Sequence, residues 1–236
     1  MPPEREICVN AEAAQQSVSA AGQPGPLVWA ARKVVLYTVR LPIRVGLRLG
    51  CQARVVGEER VPRTGALIVA ANHTSFADPV VLQALFPRFL TYLMTERFYH
   101  VPLLHGFFRF WGVLRVKAAG LNRDALRGAA AELAREGAVG IFPEGGISRD
   151  GRIHDALPGI ALLAQRTGAP ILPVGLAGVG TMLPPDTWRL RAARVAMVIG
   201  QPFAPAGLGR RELLERVNRE LRAIAERAQG ETGAAS

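Results

Sequence analysis

The sequence predicts an α/β protein: a mostly parallel central sheet of about seven strands flanked by helices, preceded by an amphipathic helical segment suited to a membrane surface. Three observations carry this expectation. From residue 53 onward, short β-branched apolar runs alternate with helix-like stretches, the pattern of strand–helix–strand units. The stretch "PLVWAARKVVLYTVRLPIRVGLRLG" (26–50) mixes apolar and aromatic residues with single cations and holds no acid. The chain of 236 residues is 49% hydrophobic, which is ample for one packed core and excludes global disorder.

Taken in order, residues 1–25 are rich in Ala, Gln, Ser and Pro, lack the apolar core of a cleaved signal, and read as a flexible leader. In 26–50, Arg40, Arg44 and Arg48 recur every fourth residue, which aligns them on one helical face. Pro42 is expected to bend or split that helix. Trp29 and Tyr37 each join an apolar body to a polar tip. The basic face is therefore assigned to a membrane surface; an ordinary amphipathic helix packed on the domain is the alternative. No eighteen-residue apolar run is free of charge or of Pro and Gly breaks, so no membrane-spanning helix is expected.

The domain proper is set at 51–230. Strands are expected at "ARVVG" (53–57), "ALIVAA" (66–71), "LTYLM" (90–94), "GVLRV" (112–116), "AVGIF" (138–142), "PILPVGL" (170–176) and "RVAMVIG" (194–200). Helices fall near 79–86, 98–110, 121–136 and 155–167. Over 210–228, Leu213, Leu214, Val217, Leu221, Ile224 and Ala228 share one face, which predicts a closing amphipathic helix, and 231–236 reads as a tail.

The net charge of +10 and pI near 11.0 favour an anionic partner: nucleic acid, an acidic membrane or a phosphorylated substrate. Aromatics are sparse and no repeated aromatic–basic pattern occurs, so no nucleic acid is expected. Cys8 and Cys51 lack metal-ligand spacing, and a reducing compartment fits them best.

Chemistry concentrates in two loops. "NHTSFADP" (72–79) follows the buried-looking run "ALIVAA", so Asn72 and His73 emerge at a strand's carboxyl end, where open α/β sheets bind ligands. Asp78 before Pro79 suits a helix N-cap. The same carboxylate can also reach back across the turn to His73, fixing its tautomer and leaving the other ring nitrogen to take a proton from a hydroxyl. "FPEGGISRDG" (142–151) also follows an apolar run, and brings Glu144, Gly145, Gly146 and Arg149, with Arg152 just beyond. Its glycines let backbone N–H groups approach an anion. A solvated glycine-rich turn is the plainer alternative. "GAPILPVGLAG" (168–178) places two prolines around an apolar strand.

In this order and spacing the three pieces resemble the glycerophospholipid acyltransferase family, whose best-known members are the 1-acylglycerol-3-phosphate (lysophosphatidate) acyltransferases. "NHTSFAD" is similar to the family's first block, "FPEGGIS" to its third (usually Phe-Pro-Glu-Gly-Thr-Arg-Ser) and "APILPVGLAG" to its fourth; the likeness runs from about Ala53 to Phe203. It implies acyl transfer from a thioester to a lipid hydroxyl, with His73 as general base and Asp78 as its orienting partner. It further implies that Glu144, with Gly145 and Gly146, helps hold the acceptor, and that Asn72 and Pro173 belong to the acyl-donor site. Two arginines of the family pattern are replaced: Thr-Arg of the third block is Gly146-Ile147, and the Arg of the second block falls on Ala118. Arg115, Lys117, Arg149 and Arg152 are the cations left nearby for a phosphate.

The expectation is thus an O-acyltransferase at the cytoplasmic face of a membrane, peripheral or monotopic. It would use acyl-CoA or acyl carrier protein as co-substrate, with no metal and no further cofactor. A different lysolipid acceptor, such as a lyso-ornithine-type lipid, and an inactive membrane-surface scaffold are the alternatives. A serine hydrolase built on Ser75 or Ser148 lacks a Gly-x-Ser-x-Gly elbow. The histidines at 73, 100, 105 and 154 lack metal-ligand spacing.

Overall fold

The computed structural model describes residues 26–95, 114–116 and 123–233 apart from 186 and 188, with side chains over 38–93 and 124–233 apart from the same two. The leader, the helix expected near 98–110, Lys117, Ala118, His100 and His105 lie outside the described residues, as do the side chains of Trp29, Tyr37 and Arg115.

The strands are β1 (Arg54–Val56), β2 (Leu67–Ala71), β3 (Leu90–Thr95), β4 (Leu114–Val116), β5 (Ala138–Ile141), β6 (Ile171–Ala177) and β7 (Ala196–Ile199). The helices are α1 (Pro26–Gly50), α2 (Asp78–Leu85), α3 (Arg123–Ala134), α4 (Gly159–Thr167), α5 (Val179–Met182) and α6 (Arg210–Glu231), with a 3-10 turn at Glu58–Arg60. The short α5 and the 3-10 turn have no periodic signal in the sequence. The closing helix runs past the expected 228 to Glu231, and Thr232 is buried, so the chain at 231 is helix rather than tail.

Among the described residues the strands form one sheet in the order β1-β7-β6-β2-β5-β3-β4. All neighbouring pairs are parallel except β6 with β7, so β1 and β7 run against the other strands. Register is set by pairs such as Ile68 with Ile171 and Leu67 with Ala138. Every residue of β2, β5, β6 and β7 is buried, which explains why these strands read as unbroken apolar runs: a sheet covered on both faces has no polar side.

Ile68 and Ala70 of β2, Val139 and Ile141 of β5, and Ile171 of β6 share a core with Leu133 of α3, Ile160 and Leu163 of α4, and Leu213, Val217 and Leu221 of α6. Burying each aliphatic side chain contributes roughly 1.5–3 kcal/mol. The closing helix sits hard against β6 because residue 175 is glycine; a Cβ there would lie 2.4 Å from the Ile224 carbonyl oxygen. Since β2, β5 and β6 are mutually parallel, the loops after them emerge together at one edge of the sheet, and these loops carry the residues singled out above.

Helix α1 corrects two expectations. It is not split at Pro42, which is exposed within the one helix. The segment up to Tyr37 forms a unit of its own, and the domain begins at Thr38. Within the domain Arg40 and Arg44 of the arginine face turn inward, while Arg48 stays exposed. Arg40 donates through Nε to the Ala84 carbonyl (3.1 Å) and through Nη2 to that of Phe86 at the end of α2, and Arg44 pairs with Glu58 at 3.7 Å. Leu47 is buried beside them on the same side, whereas Leu41 and Leu49 are 64% and 81% exposed. Periodicity places residues on a common face; the orphan carbonyls at the end of α2 decided which face turned in. Among the described residues no helix is long and apolar enough to cross a membrane.

Candidate active site

The loop after β2 is shaped by the side chain of Asp78. Its Oδ2 accepts the backbone N–H of Thr74 (2.6 Å) and of Ser75 (2.7 Å) and lies 2.9 Å from Nδ1 of His73. Asp78 is fully buried; the His73 side chain is 15% exposed. The expected N-cap role is therefore overturned. Asp78 is the first residue of α2, Ala77 holds the cap position, and no side chain caps the helix. The carboxylate points back into the preceding loop, where two N–H donors and the imidazole outcompete the helix start.

A carboxylate can only accept, so it makes Nδ1 the protonated ring nitrogen and leaves the lone pair of Nε2 for a substrate proton. The ring is held flat against Phe142, with centroids 4.2 Å apart and planes 22° off parallel, and Tyr92 stacks behind Phe142 at 6.2 Å. Burial pushes the Tyr92 hydroxyl well above its usual range, so it stays neutral. Phe142 is a contact that sequence reasoning missed, although its place at the end of β5 beside Glu144 was a signal.

The backbone of His73 is pinned from the loop after β5. Its N–H donates to Glu144 Oε1 (2.9 Å) and its carbonyl accepts from the N–H of Ser148 (2.8 Å). The other oxygen of Glu144, Oε2, accepts the N–H of His154 at 2.9 Å. Glu144 thus bridges two loops through two backbone donors, a structural task that its sequence position did not reveal. Burial raises its pKa above the ordinary value of 4.5, against the two N–H donors and the neighbouring histidines, which pull it down.

Within the same loop the Ser148 hydroxyl donates to the Arg152 carbonyl at 2.6 Å and lies 3.0 Å from Asp150 Oδ1. The ring of His154 reaches the same Asp150 oxygen at 3.1 Å. Gly145 adopts φ +76°, a left-handed turn that favours glycine. Gly146, Arg149 and Arg152 are exposed on the outer side of this loop. Arg115 lies on β4, with β5 and β3 between it and the strand that leads into the His73 loop.

Asn72 and Pro173 are built into the sheet. The Asn72 amide donates to the Leu176 carbonyl (3.0 Å) and its oxygen accepts the Leu176 N–H (2.7 Å), so the side chain extends the β2–β6 pairing past the end of β2 and sets where His73 emerges. Pro173 is buried in β6 opposite Ala70, its carbonyl taking the N–H of Gly200 at 2.8 Å. The serines of the hydrolase alternative are committed elsewhere: Ser75 donates to the Leu183 carbonyl at 2.6 Å, and Ser148 as described.

A family model described as Acyltransferase matches residues 52–177. The chain is 32% identical over 146 residues to the 1-acyl-sn-glycerol-3-phosphate acyltransferase of Borreliella burgdorferi, covering 58% of this chain and 56% of that protein. It is 26% identical over 176 residues to a chloroplastic 1-acyl-sn-glycerol-3-phosphate acyltransferase of Arabidopsis thaliana, covering 73% and 49%. The chain thus spans about half the length of these curated relatives. Among solved structures, the 1-acyl-sn-glycerophosphate (LPA) acyltransferase PlsC from Thermotoga maritima shares the fold, with a TM-score of 0.71 at 24% identity over 92% of this chain and 88% of that one.

Proposed function

Because the chain belongs to the acyltransferase family, we propose that it transfers a fatty acyl group from acyl-CoA or acyl carrier protein to the free hydroxyl of lysophosphatidate. The observation that carries this reading is the His73–Asp78 pair at the carboxyl edge of the sheet, with Nδ1 spent on the carboxylate and Nε2 left to act. The relatives named above share the acceptor class.

In the reaction, Nε2 of His73 removes the proton of the acceptor hydroxyl as the oxygen attacks the thioester carbonyl. The tetrahedral intermediate collapses, the carbon–sulfur bond breaks, and the imidazolium returns its proton to the departing thiolate. Asp78 stabilises the imidazolium in between. The thioester is already activated, so a covalent acyl-enzyme is unnecessary and catalysis rests on holding two reactants in line. The cations Arg149 and Arg152, together with Lys117 and Arg115, are assigned to the phosphate of the acceptor, and the β6 region around Pro173 to the acyl donor.

The protein works at the cytoplasmic face of a membrane as a peripheral or monotopic enzyme. Support comes from the outward face of α1, where Leu41, Val45 and Leu49 stand exposed at i, i+4 and i+8. The test is transfer of a labelled acyl group by the purified protein to a panel of phosphate-bearing and phosphate-free lysolipids, beside His73→Ala. Transfer to lysophosphatidate that disappears in the variant supports the reading; full transfer by the variant overturns the mechanism.

A further inference from the structure

We infer that the segment joining β6 to β7 is a second membrane-contacting element, which seats the active-site edge of the sheet on an anionic bilayer together with the end of α1. The inference rests on the reading that the protein acts on membrane lipid. In this segment Leu190 is 76% exposed and stands between the exposed Arg189 and Arg191. An aliphatic side chain between two cations matches a headgroup boundary, where the leucine enters the acyl region and the arginines meet phosphates.

The segment is tied both to the active site and to α1. Its start is held by Ser75 of the His73 loop, whose hydroxyl bonds the Leu183 carbonyl at 2.6 Å. The N–H of Arg191 bonds the Met182 carbonyl at 2.8 Å, and the Met182 sulfur lies 3.4 Å from Sγ of Cys51, directly after the last residue of α1. The N–H of Val195 bonds the Cys51 carbonyl at 3.0 Å. Cys51, two residues after the exposed Leu49, and Arg191, next to the exposed Leu190, are thereby both held at Met182. The charge is mostly positive: no acid occurs from Ala30 to Gly57, and between β6 and β7 Asp186 stands against Arg189, Arg191 and Arg194. The tether to the end of α1, whose Leu41, Val45 and Leu49 are exposed, and this charge bias favour a bilayer over an acidic protein.

The experiment is co-sedimentation of the full chain with vesicles of phosphatidylcholine and phosphatidylglycerol, comparing the natural sequence with Arg189→Gln/Arg191→Gln and with Leu190→Ser. Far-UV circular dichroism and the melting temperature check that the variants fold. The charge variant is expected to partition about thirtyfold more weakly at low salt, with a shallower salt dependence, and Leu190→Ser about tenfold more weakly. Arg189→Lys/Arg191→Lys is expected to restore most binding. Turnover of a short-chain, monomeric acceptor is expected to be unchanged in all of them.

Vesicle binding that is the same in the folded variants overturns the inference. So does a loss confined to binding of an acidic acyl carrier protein, which would assign the patch to that partner. If the natural chain transfers no acyl group to any acceptor, the proposed activity fails, yet the vesicle comparison still decides the role of this segment.

Discussion

One buried oxygen, Oδ2 of Asp78, lies 2.9 Å from Nδ1 of His73 while also accepting the N–H groups of Thr74 and Ser75. The atom that orients the base therefore also shapes the loop that presents it. Charge and shape can be separated by substitution. Asp78→Asn keeps an oxygen for the loop donors but loses the charge that stabilises the imidazolium. It is expected to lower kcat by about 10²- to 10⁴-fold with little change in melting temperature. Asp78→Ala is expected to lower both, because two N–H groups lose their partner at about 1–3 kcal/mol each. His73→Ala should remove activity and leave the fold. Paired kinetic and thermal measurements decide; an Asn variant of full activity would reduce the pair to a loop fastener.

Asn72 offers a second separation. Its amide makes two hydrogen bonds with the backbone of Leu176 and is buried. Asn72→Ala is expected to destabilise by about 2–4 kcal/mol, roughly 1–2 kcal/mol per broken bond, and so to lower the melting temperature by several degrees. Urea denaturation measures this. A raised KM for the thioester at unchanged stability would instead return Asn72 to the donor site that the sequence resemblance assigned to it.

The contrast between Asn72 and β2 shows what could be read in the chain. "LIVAA" announces a strand because a buried strand is apolar at every position, and the same logic located β5, β6 and β7 to within a few residues. His73 and Asp78 were legible as a pair because they are five apart and a turn can close that distance. Asn72 and Leu176 are 104 positions apart, and no local pattern announces their bond. Glu144 stood out in its loop, but the destinations of its two oxygens depend on where two loops meet. For α1 the periodicity of Arg40 and Arg44 was plain, and the inward direction was not, since it depends on the carbonyls of Ala84 and Phe86.

Glu144 carries a pH signature. Burial raises its folded pKa above the ordinary 4.5, so the folded state holds its proton to higher pH than the unfolded chain does. The advantage of the protonated form is fully present below the unfolded value and is lost as pH rises through the folded one. Glu144→Gln has no such proton. The stability of the natural chain minus that of Glu144→Gln is therefore expected to fall as pH rises from about 4.5, and then to level off. Chemical denaturation of both proteins over a pH series gives the difference. A difference that rises with pH would mean that the N–H donors of His73 and His154 outweigh desolvation.

The acceptor is the last question, and the third-block loop is where it can be asked. Gly146 and Ile147 stand where the family pattern has Thr-Arg, so a phosphate must be met by other cations. Arg149 and Arg152 are exposed on that loop, and Lys117 follows β4 in the chain. Arg149→Gln, Arg152→Gln and Lys117→Gln are to be compared on lysophosphatidate and on a phosphate-free lysolipid. A hydrogen bond to a charged group contributes about 1.5–3 kcal/mol. Loss of a phosphate ligand should therefore raise KM for lysophosphatidate by about ten- to a hundredfold with kcat nearly constant, and leave the phosphate-free acceptor untouched. The variant showing that split identifies the cation that took over. If none of the three shows it, the phosphate is not read by these side chains, and a lysolipid with a different headgroup becomes the natural acceptor to pursue.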